Sequence, residues 1–376
     1  MPIIIGADIV PTETNKNLFE TGNVEPVVGS DLLNMLCAAD FRIFNQECPL
    51  VDRESPIQKC GPVLGAGTSC INGIKALGAD LLSIANNHIM DHGYTGLEST
   101  IKTIESKNIA YLGAGNDLRQ AVKPFVFSWN NKKIGVYSCA EHEFSIAGEN
   151  TPGANPFDPL ESYDHVVALK AQCDFLIVLY HGGKEYYRYP SPMLQRVCRK
   201  FVEKGANLVV CQHSHCIGCE EKYGNGSIVY GQGNFVFDKI NNPLSQTSLL
   251  IKVNDDFSIE YIPLIKVEKG VRLATGGDAE KIISEFINRS ELIKEKGFIE
   301  REYLEFAKKK LKIYMLTCFG YKHKFFYRVL NKLTGNRLNN VFVNSYKKEE
   351  LLAIRNFIEC EAHRELWAEG LKNATC

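Results

Sequence analysis

The chain has 376 residues, of which 45% are hydrophobic and 23% are charged, values typical of a globular protein with one or two domains. Its formal net charge is -1, so no overall positive field favours nucleic acid as a partner. No apolar run approaches the roughly 20 residues that a transmembrane helix needs.

Residues 1 to about 215 alternate short apolar runs with amphipathic segments. The predicted strands are IIIGAD, DFRIFN, DLLSIA, KIGVYSCA, CDFLIVLYH and ANLVVCQH. Two intervening segments are predicted helices. TGLESTIKTIESKN has Thr95 and Glu98 spaced as a capping box, and SPMLQRVCRKFVEKGAN has Ser191 as its N-cap. This alternation predicts a mainly parallel sheet covered by helices, which is an α/β fold.

The pattern changes twice after residue 215. GSIVYGQGNFVFD, TSLLIKVND and FSIEYIPLI predict successive antiparallel strands, and hence a sandwich of two sheets flanked by helices. From about 273 onward the chain is helix-like and rich in Lys, Tyr and Phe, with no acidic residue between Glu305 and Glu349. We therefore predict one domain over residues 1–272 and a helical, basic C-terminal extension over residues 273–376.

Five of the six predicted strands in the first part end on side chains that bind metals or transfer protons. These are Asp8 after the first, Asn45 and Glu47 after the second, Asn86, Asn87 and His88 after the third, His181 after the fifth, and His213 and His215 after the last. The carboxyl ends of parallel strands meet at one edge of a sheet, where ligands bind. The sequence therefore predicts a single site there.

The side chains at this edge suit a divalent metal such as Mn, Zn or Fe. Two ions about 3.5–4 Å apart can activate water and hold a phosphoryl group. The predicted ligands are Asp8 and Glu47 through carboxylates, Asn87 through its carbonyl oxygen, and His181, His213 and His215 through neutral imidazoles. His88, beside a ligand, is the predicted proton donor to a leaving oxygen. Asp91 is predicted to belong to the same catalytic group.

The ordered motifs GAD, FNQECPL, SIANNHIMDHG, AYLGAG, YHGGKEYYRYP, VVCQHSH and VYGQGNFVFD resemble the CapA family of poly-gamma-glutamate capsule biosynthesis proteins. That family lies within the calcineurin-like metallophosphoesterase superfamily, and the resemblance covers roughly residues 3–265. It implies a four-layer α/β/β/α metallophosphoesterase-like sandwich, the same six metal ligands, and His88 as proton donor. Glu185 and Asn234 also match family positions near the site.

The chain departs from the usual superfamily pattern at two ligand positions. Val10 stands where a histidine is usual, and either Asn45 or Glu47 replaces the usual bridging aspartate. The number of ions, one or two, therefore stays open. The segment AEHEF, with Glu141 and Glu143, either supplies a further ligand or lines the pocket. A zinc site at Cys216 and Cys219 is a weaker alternative, because no second cysteine pair accompanies it.

An anionic small molecule or polymer is the predicted substrate. The predicted substrate-binding residues are Asn45, Arg53, Glu185, Arg188 and Asn234. The alternative for Arg53 and the nearby Lys59 is that they are solvated charges of a surface loop. The basic extension either packs on the body or docks to an anionic membrane surface, a lipid-linked precursor or an acidic polymer.

These features predict a metal-dependent hydrolase, most simply a phosphoesterase, in the biosynthesis of capsule or another surface polymer. Two alternatives remain: acyl or amide chemistry on a polyglutamate-like polymer, and a non-catalytic accessory subunit of a polymer synthase. The 13 cysteines without a disulfide pattern, and an N-terminus without a basic leader, predict a cytoplasmic location, with peripheral membrane association as a variant.

Overall fold

The computed structural model describes residues 1–237, 242–318 and 324–375. The strands are β1 (Ile3–Ile9), β2 (Phe41–Gln46), β3 (Leu81–Ser83), β4 (Ala110–Leu112), β5 (Ala114–Gly115), β6 (Phe125–Trp129), β7 (Lys132–Ala140), β8 (Gly153–Ala154), β9 (Phe175–His181), β10 (Leu208–Gln212), β11 (Glu220–Tyr223), β12 (Gly226–Tyr230), β13 (Asn234–Val236), β14 (Thr247–Val253), β15 (Ile259–Val267) and β16 (Gly270–Leu273). The helices are α1 (Lys16–Thr21), α2 (Glu25–Val28), α3 (Ser30–Cys37), α4 (Ile71–Ala76), α5 (Gly93–Ser106), α6 (Leu118–Ala121), α7 (Ser162–Lys170), α8 (Pro192–Glu203), α9 (Gly276–Leu292), α10 (Phe298–Cys318), α11 (Phe325–Leu333), α12 (Arg337–Asn344), α13 (Lys348–Glu359) and α14 (Glu361–Thr375).

Two large sheets form the centre of the fold. The first has the strand order β16-β15-β14-β1-β2-β3-β4, with β13 pairing with β1, and the second has the order β11-β12-β10-β9-β7-β6. Successive side chains of a strand point to opposite faces, so each sheet has two apolar faces to bury. In β1, Ile3 and Ile5 join the core between the sheets, whereas Ile4 joins the core on the helical side.

Three apolar cores separate four layers. The inner core holds side chains of both sheets, such as Ile177 and Ile251. The core outside the first sheet includes Leu36 of α3 and Leu97 of α5, and the core outside the second sheet includes Phe201 of α8. This arrangement of helices, sheet, sheet and helices confirms the predicted α/β/β/α sandwich.

Local elements follow the sequence signals with two corrections. Ser191 caps α8 as predicted, its Oγ accepting a hydrogen bond from the Leu194 amide at 3.0 Å. However, α5 begins at Gly93, so Thr95 lies inside the helix and the predicted capping box is wrong. GSIVYGQGNFVFD is also not one antiparallel strand. It forms β12, parallel to β10, and β13, parallel to β1, whereas its last residue, Asp238, lies outside the described residues.

The division of the chain differs from the predicted boundary after residue 272. The two compact units are Met1–Glu300 and Arg301–Cys376, so α9 belongs to the first unit. The reason is packing: Ile282 and Phe286 of α9 are buried against Ile217 and Leu249 of the sandwich. Helical character alone did not reveal this, because an amphipathic helix covers a sheet as readily as it forms an extension.

The second unit contains α10 from Arg301 onward, together with α11 to α14. Its helix α11 carries highly exposed apolar side chains, with 70% of Phe325, 80% of Phe326 and 77% of Leu333 accessible. Within the described residues, no helix combines the length and the apolar character needed to cross a bilayer.

Candidate metal centre

Strand register brings the predicted ligands to one edge of the sandwich. In the first sheet, Asp8 of β1 lies opposite Asn45 of β2 and opposite Asn234 of β13. In the second sheet, His181 at the end of β9 lies opposite Gln212, the last residue of β10. His213 therefore leaves β10 directly beside His181, with ring centroids 5.0 Å apart.

The potential ligand atoms form two groups that share one carboxylate. Glu47, His181 and His213 form the first group, and Asp8, Glu47 and His215 form the second. Within each group the ligand atoms lie within 4.8 Å of one another, and all of these residues are buried. The arrangement fits two ions that share Glu47, or one ion held by either group.

Asn45 and Glu47, which sequence reasoning left as alternatives, have different positions. The Asn45 amide nitrogen donates to Asp8 Oδ1 at 2.8 Å and to Glu47 Oε2 at 3.1 Å. Asn45 thus holds the two carboxylates in place with N–H groups, which are not metal ligands. Glu47 is the residue common to both groups. The structure places Asn45 among the potential ligands, where its amide holds two of their carboxylates.

Several buried polar atoms of these groups lack a hydrogen-bond partner. Across the described parts of the chain, Asp8 Oδ2, Glu47 Oε1 and His213 Nδ1 are such atoms. A buried polar atom without a partner is costly and rare, so a cluster of them calls for a ligand. Carboxylate oxygens and imidazole nitrogens are ligands of Mn, Fe and Zn, and the residues therefore fit a divalent metal.

The electrostatics of the cluster keep two imidazoles neutral. Burial, followed by the charge of His215, lowers the pKa of His213 to about 4. Burial holds the pKa of His181 well below its usual range, and the repulsion that a second protonated ring beside His213 would meet acts in the same direction. Neutral imidazole is the form that binds a metal, so both residues are ready to bind near neutral pH.

The two carboxyl groups respond to this environment in opposite ways. Burial, together with the charge of Asp8, raises the pKa of Glu47 well above its usual range. Burial also acts to raise the pKa of Asp8, but the nearby imidazoles outweigh it, foremost His215 with its Nδ1 3.6 Å from Asp8 Oδ2, and the net shift is downward. Two carboxyl groups this close do not readily carry two charges without a cation.

The loop after β10 holds its two histidines in a strained backbone conformation. His213 has φ of 88° and His215 has φ of 53°, in the left-handed region that non-glycine residues rarely adopt. Such conformations cost about 1–3 kcal/mol each and persist at functional sites. Asn234 holds the second ring, since its Oδ1 lies 2.8 Å from His215 Nδ1. The structure thus assigns Asn234 a positioning contact.

Asn87 points its carbonyl oxygen at the cluster. Its Oδ1 lies 3.1 Å from His181 Nε2, and its amide nitrogen donates to Glu143 Oε2 at 3.2 Å. Glu143 of AEHEF therefore orients Asn87, whereas Glu141 bonds to the Tyr180 hydroxyl at 3.3 Å. Val10, at the position where a histidine is usual, is buried in the apolar core on the helical side.

His88 and Asp91 form a buried pair beside Asn87. His88 Nδ1 lies 2.6 Å from Asp91 Oδ2, and Lys59 Nζ donates to Asp91 Oδ1 at 2.6 Å. Burial acts to raise the pKa of Asp91, but the hydrogen bond and charge of His88, followed by the hydrogen bond from Lys59, lower it overall. Asp91 is therefore an anion that orients His88 through Nδ1. Nε2 is left as the atom that can carry a transferable proton.

Two further predicted substrate-binding residues lie elsewhere. Arg53 is exposed, and none of the contacts found among the described residues joins it to the cluster. Arg188 contacts Glu285 of α9 at 3.5 Å and lines a separate cleft. Glu185 is half-buried, and its charge acts on Glu47 and on His213. The metal-ligand groups found in the described residues contain no cysteine, so Cys216 and Cys219 belong to neither.

Sequence reasoning missed the role of Lys59. The sequence predicts Lys59 to be a charged loop residue that is either solvated or in contact with an anionic substrate. In the structure its side chain is buried against Asp91. The loop VDRESPIQKCGPVLGAG, which contains Lys59, offers no periodicity that indicates burial. The available signal was weaker: a lysine in a loop that lies between two predicted site segments.

Comparisons with known proteins show the family of this chain. The profile of the family described as "Bacterial capsule synthesis protein PGA_cap" matches residues 3–239. The "Capsule biosynthesis protein CapA" of Bacillus anthracis is 30% identical over 183 residues, which is 47% of this chain and 44% of that protein. The "PGA biosynthesis protein CapA" of Bacillus subtilis is 29% identical over 207 residues, 54% of each chain. The chain thus spans about half the length of these curated relatives.

A "Probable polyglutamine synthesis accessory protein" of Mycobacterium tuberculosis is 28% identical over 178 residues, 44% of this chain and 47% of that protein. Among solved structures, a phosphatase from Mycoplasma pneumoniae is 13% identical with a TM-score of 0.44, over 70% of this chain and 93% of that chain. The family profile covers more than half of the chain and includes every predicted ligand. The chain therefore belongs to the bacterial capsule synthesis protein PGA_cap family.

Proposed function

We propose that this protein is a metal-dependent hydrolase that cleaves a phosphoester in the biosynthesis of capsule or another surface polymer. The observation that carries the proposal is the buried His88–Asp91 pair beside the ligand groups that share Glu47. A protein that only binds a metal or a polymer has no need of a histidine held by a buried anion next to the metal ligands. Proton transfer does need such a pair.

The residues of the site have different roles in the proposed reaction. Asp8, Glu47, His181, His213 and His215 would hold a divalent ion, which would supply Lewis acidity toward the phosphoryl group and toward water. His88 donates a proton from Nε2 to the leaving oxygen. Asp91 accepts the hydrogen bond from His88 Nδ1 and stabilises the protonated ring, while Lys59 holds the other carboxylate oxygen of Asp91. Asn87 and Asn45 orient the ligands.

Two alternatives have support in the names of relatives. The Bacillus subtilis relative is described as a PGA biosynthesis protein, which favours amide chemistry on a polyglutamate-like chain at the same site. The Mycobacterium tuberculosis relative is described as a probable accessory protein, which favours a non-catalytic subunit of a synthase. The His88–Asp91 pair serves a leaving oxygen or a leaving nitrogen equally, so it favours either enzyme over the accessory subunit.

Turnover measurements on metal-loaded protein distinguish these functions. We expect purified protein to carry Mn, Zn or Fe by elemental analysis and to hydrolyse aryl phosphomonoesters or phosphodiesters. EDTA should abolish turnover, and the metal should restore it. A γ-glutamyl anilide tests the amide alternative in parallel. Stoichiometric metal without turnover of either substrate class contradicts the enzyme proposal and supports the accessory subunit.

We further propose that the basic C-terminal unit docks to an anionic lipid surface. In α11, the apolar residues Phe325, Phe326 and Leu333 are exposed, and Arg328 and Lys332 are exposed beside them. The 43 positions from residue 306 to residue 348 contain no acidic side chain to neutralise these cations. An amphipathic helix of this composition binds in the interface of an anionic bilayer. A soluble acidic polymer offers no apolar phase in which Phe325 and Phe326 could be buried.

Vesicle binding by the full chain tests the lipid proposal. Arg328→Gln with Lys332→Gln should weaken binding to phosphatidylglycerol vesicles about 30-fold at low salt, because each basic residue contributes about 1 kcal/mol. Phe325→Ser with Phe326→Ser should also weaken it. Lys102→Gln with Lys294→Gln, exposed lysines of the first unit, serves as the charge-matched control. Equal binding by all variants, or binding to polyglutamate but not to vesicles, contradicts the lipid proposal.

A further inference from the structure

A second cleft, distinct from the metal-ligand groups, lies between α9 and the sandwich. We call it the arginine cleft. It has a volume of about 280 Å³, and its lining includes Ile217 and the charged residues Arg188, Asp278, Lys281, Glu285 and Arg289. Arg188 comes from the loop after β9, and the other four charged residues, two acidic and two basic, belong to α9. Ile217 follows His215 by two positions, so the histidine loop also lines this cleft.

Two guanidinium groups in the cleft are poorly neutralised. Arg289 is only 6% exposed, and its Nε donates to the Gly218 carbonyl oxygen at 2.7 Å. Both arginines approach the same oxygen, Glu285 Oε2, at 3.5 Å from Arg188 and 3.8 Å from Arg289. Charge-assisted hydrogen bonds are normally about 2.7–2.9 Å long, so Glu285 satisfies neither guanidinium well.

One donor of the pair has no acceptor within the part of the chain that the structure describes. Arg188 Nε is buried and has no hydrogen-bond partner among the described residues. Burial lowers the pKa of Arg289, and the nearby charge of Arg188 lowers it further. Two cations held close together, with an unused buried N–H, form an unfavourable arrangement unless an anion lies between them.

We propose that the arginine cleft binds an oxyanion, a carboxylate or a phosphate group, between Arg188 and Arg289. Guanidinium groups present paired donors that match both of these anions. Lys281 adds a third cation at the rim, and Glu285 is the internal carboxylate that the bound anion displaces. This proposal concerns binding and does not depend on the hydrolase activity.

Titration calorimetry on the full chain tests the cleft, with inorganic phosphate and glutarate as probes. The Glu47→Gln background is used to remove binding at the metal-ligand groups. In that background, Arg188→Gln should weaken binding at least about tenfold, the size expected for loss of a charge-assisted hydrogen bond to a buried anion. Glu285→Gln should instead tighten binding roughly two- to fivefold, because it removes the competing carboxylate.

Matched variants separate binding from folding. Arg199→Gln removes another arginine paired with a glutamate, Glu221, outside the cleft, and should leave both titrations unchanged. Lys281 is exposed on α9, so Lys281→Gln should weaken binding without destabilising the fold. It therefore tests the cleft even if Arg188→Gln lowers the melting temperature. Binding of phosphate alone or of glutarate alone assigns the anion. Equal affinity in the parent, Arg188→Gln and Lys281→Gln, or loss of all binding with Glu47→Gln alone, overturns the proposal. Turnover plays no part in this test.

Discussion

Glu47→Gln is expected to remove metal from both ligand groups at once. Glu47 is the residue that the two groups share, whereas His213 and His215 each belong to one. Loss of a contact behind the ligands already costs about 10–100-fold in metal affinity, so loss of a shared ligand should exceed roughly 100-fold. Elemental analysis after dialysis should find almost no bound metal, and turnover should fall to background.

Glu141→Gln is the matched control for this substitution. Glu141 is a nearby carboxyl whose pKa is raised by burial, and it bonds to the Tyr180 hydroxyl rather than to a ligand group. Glutamine has nearly the same shape as a protonated glutamic acid, so neither change should unfold the chain. His213→Ala and His215→Ala should each lose part of the metal. A Glu47→Gln protein that retains the parent's metal content contradicts the sharing of Glu47.

His88→Asn is expected to slow turnover about 10²–10⁴-fold while the metal content stays unchanged. His88 bonds to Asp91 and lies outside both ligand groups. Its loss therefore removes the proton donor and leaves the metal ligands in place. Substrates with good leaving groups, such as nitrophenyl esters, should be affected less than alkyl esters, since a stable leaving anion needs no proton.

His92→Asn is the control for His88→Asn. His92 lies on the same segment, but its Nδ1 accepts a hydrogen bond from the Ser55 amide at 2.9 Å, away from Asp91. Asp91→Asn should reproduce much of the His88 defect, and Lys59→Met should give a smaller one. Loss of metal in His88→Asn would make His88 a ligand. An equal effect on both classes of leaving group would contradict its role as proton donor.

Much of the fold was predictable from the sequence because its signals are local. The runs that became β1, β2, β3, β7, β9 and β10 are short and apolar, and parallel strands buried on both faces leave that pattern. The ends of these strands carry Asp8, Asn87 and His181, and parallel geometry brings such ends to one edge. The order of the motifs also indicated the family. The sequence therefore predicted both the sandwich fold and the position of the candidate site.

Other features depended on contacts between distant segments. Burial of Ile282 and Phe286 places α9 in the first unit, although its composition resembles that of the helices that follow. The glycines Gly231 and Gly233, with φ of 113° and 78°, let one apolar run supply strands to two sheets. Neither result follows from periodicity, because periodicity reports which face is apolar and not which partner covers it.

The sequence by itself determined which residue types reach the site, since strand ends and spacing are written in the chain. Only the tertiary structure decided which of them is a potential ligand, a hydrogen-bond donor or a residue outside the site. Strand register and loop conformation make Glu47 the carboxylate that both ligand groups share, and they place Asn45 so that its amide donates to Asp8. They also bury Lys59 against Asp91 and place Arg188 in the cleft beside α9. The physical reason is that ligation, hydrogen bonding and pKa depend on distances of a few ångströms between segments far apart in the chain.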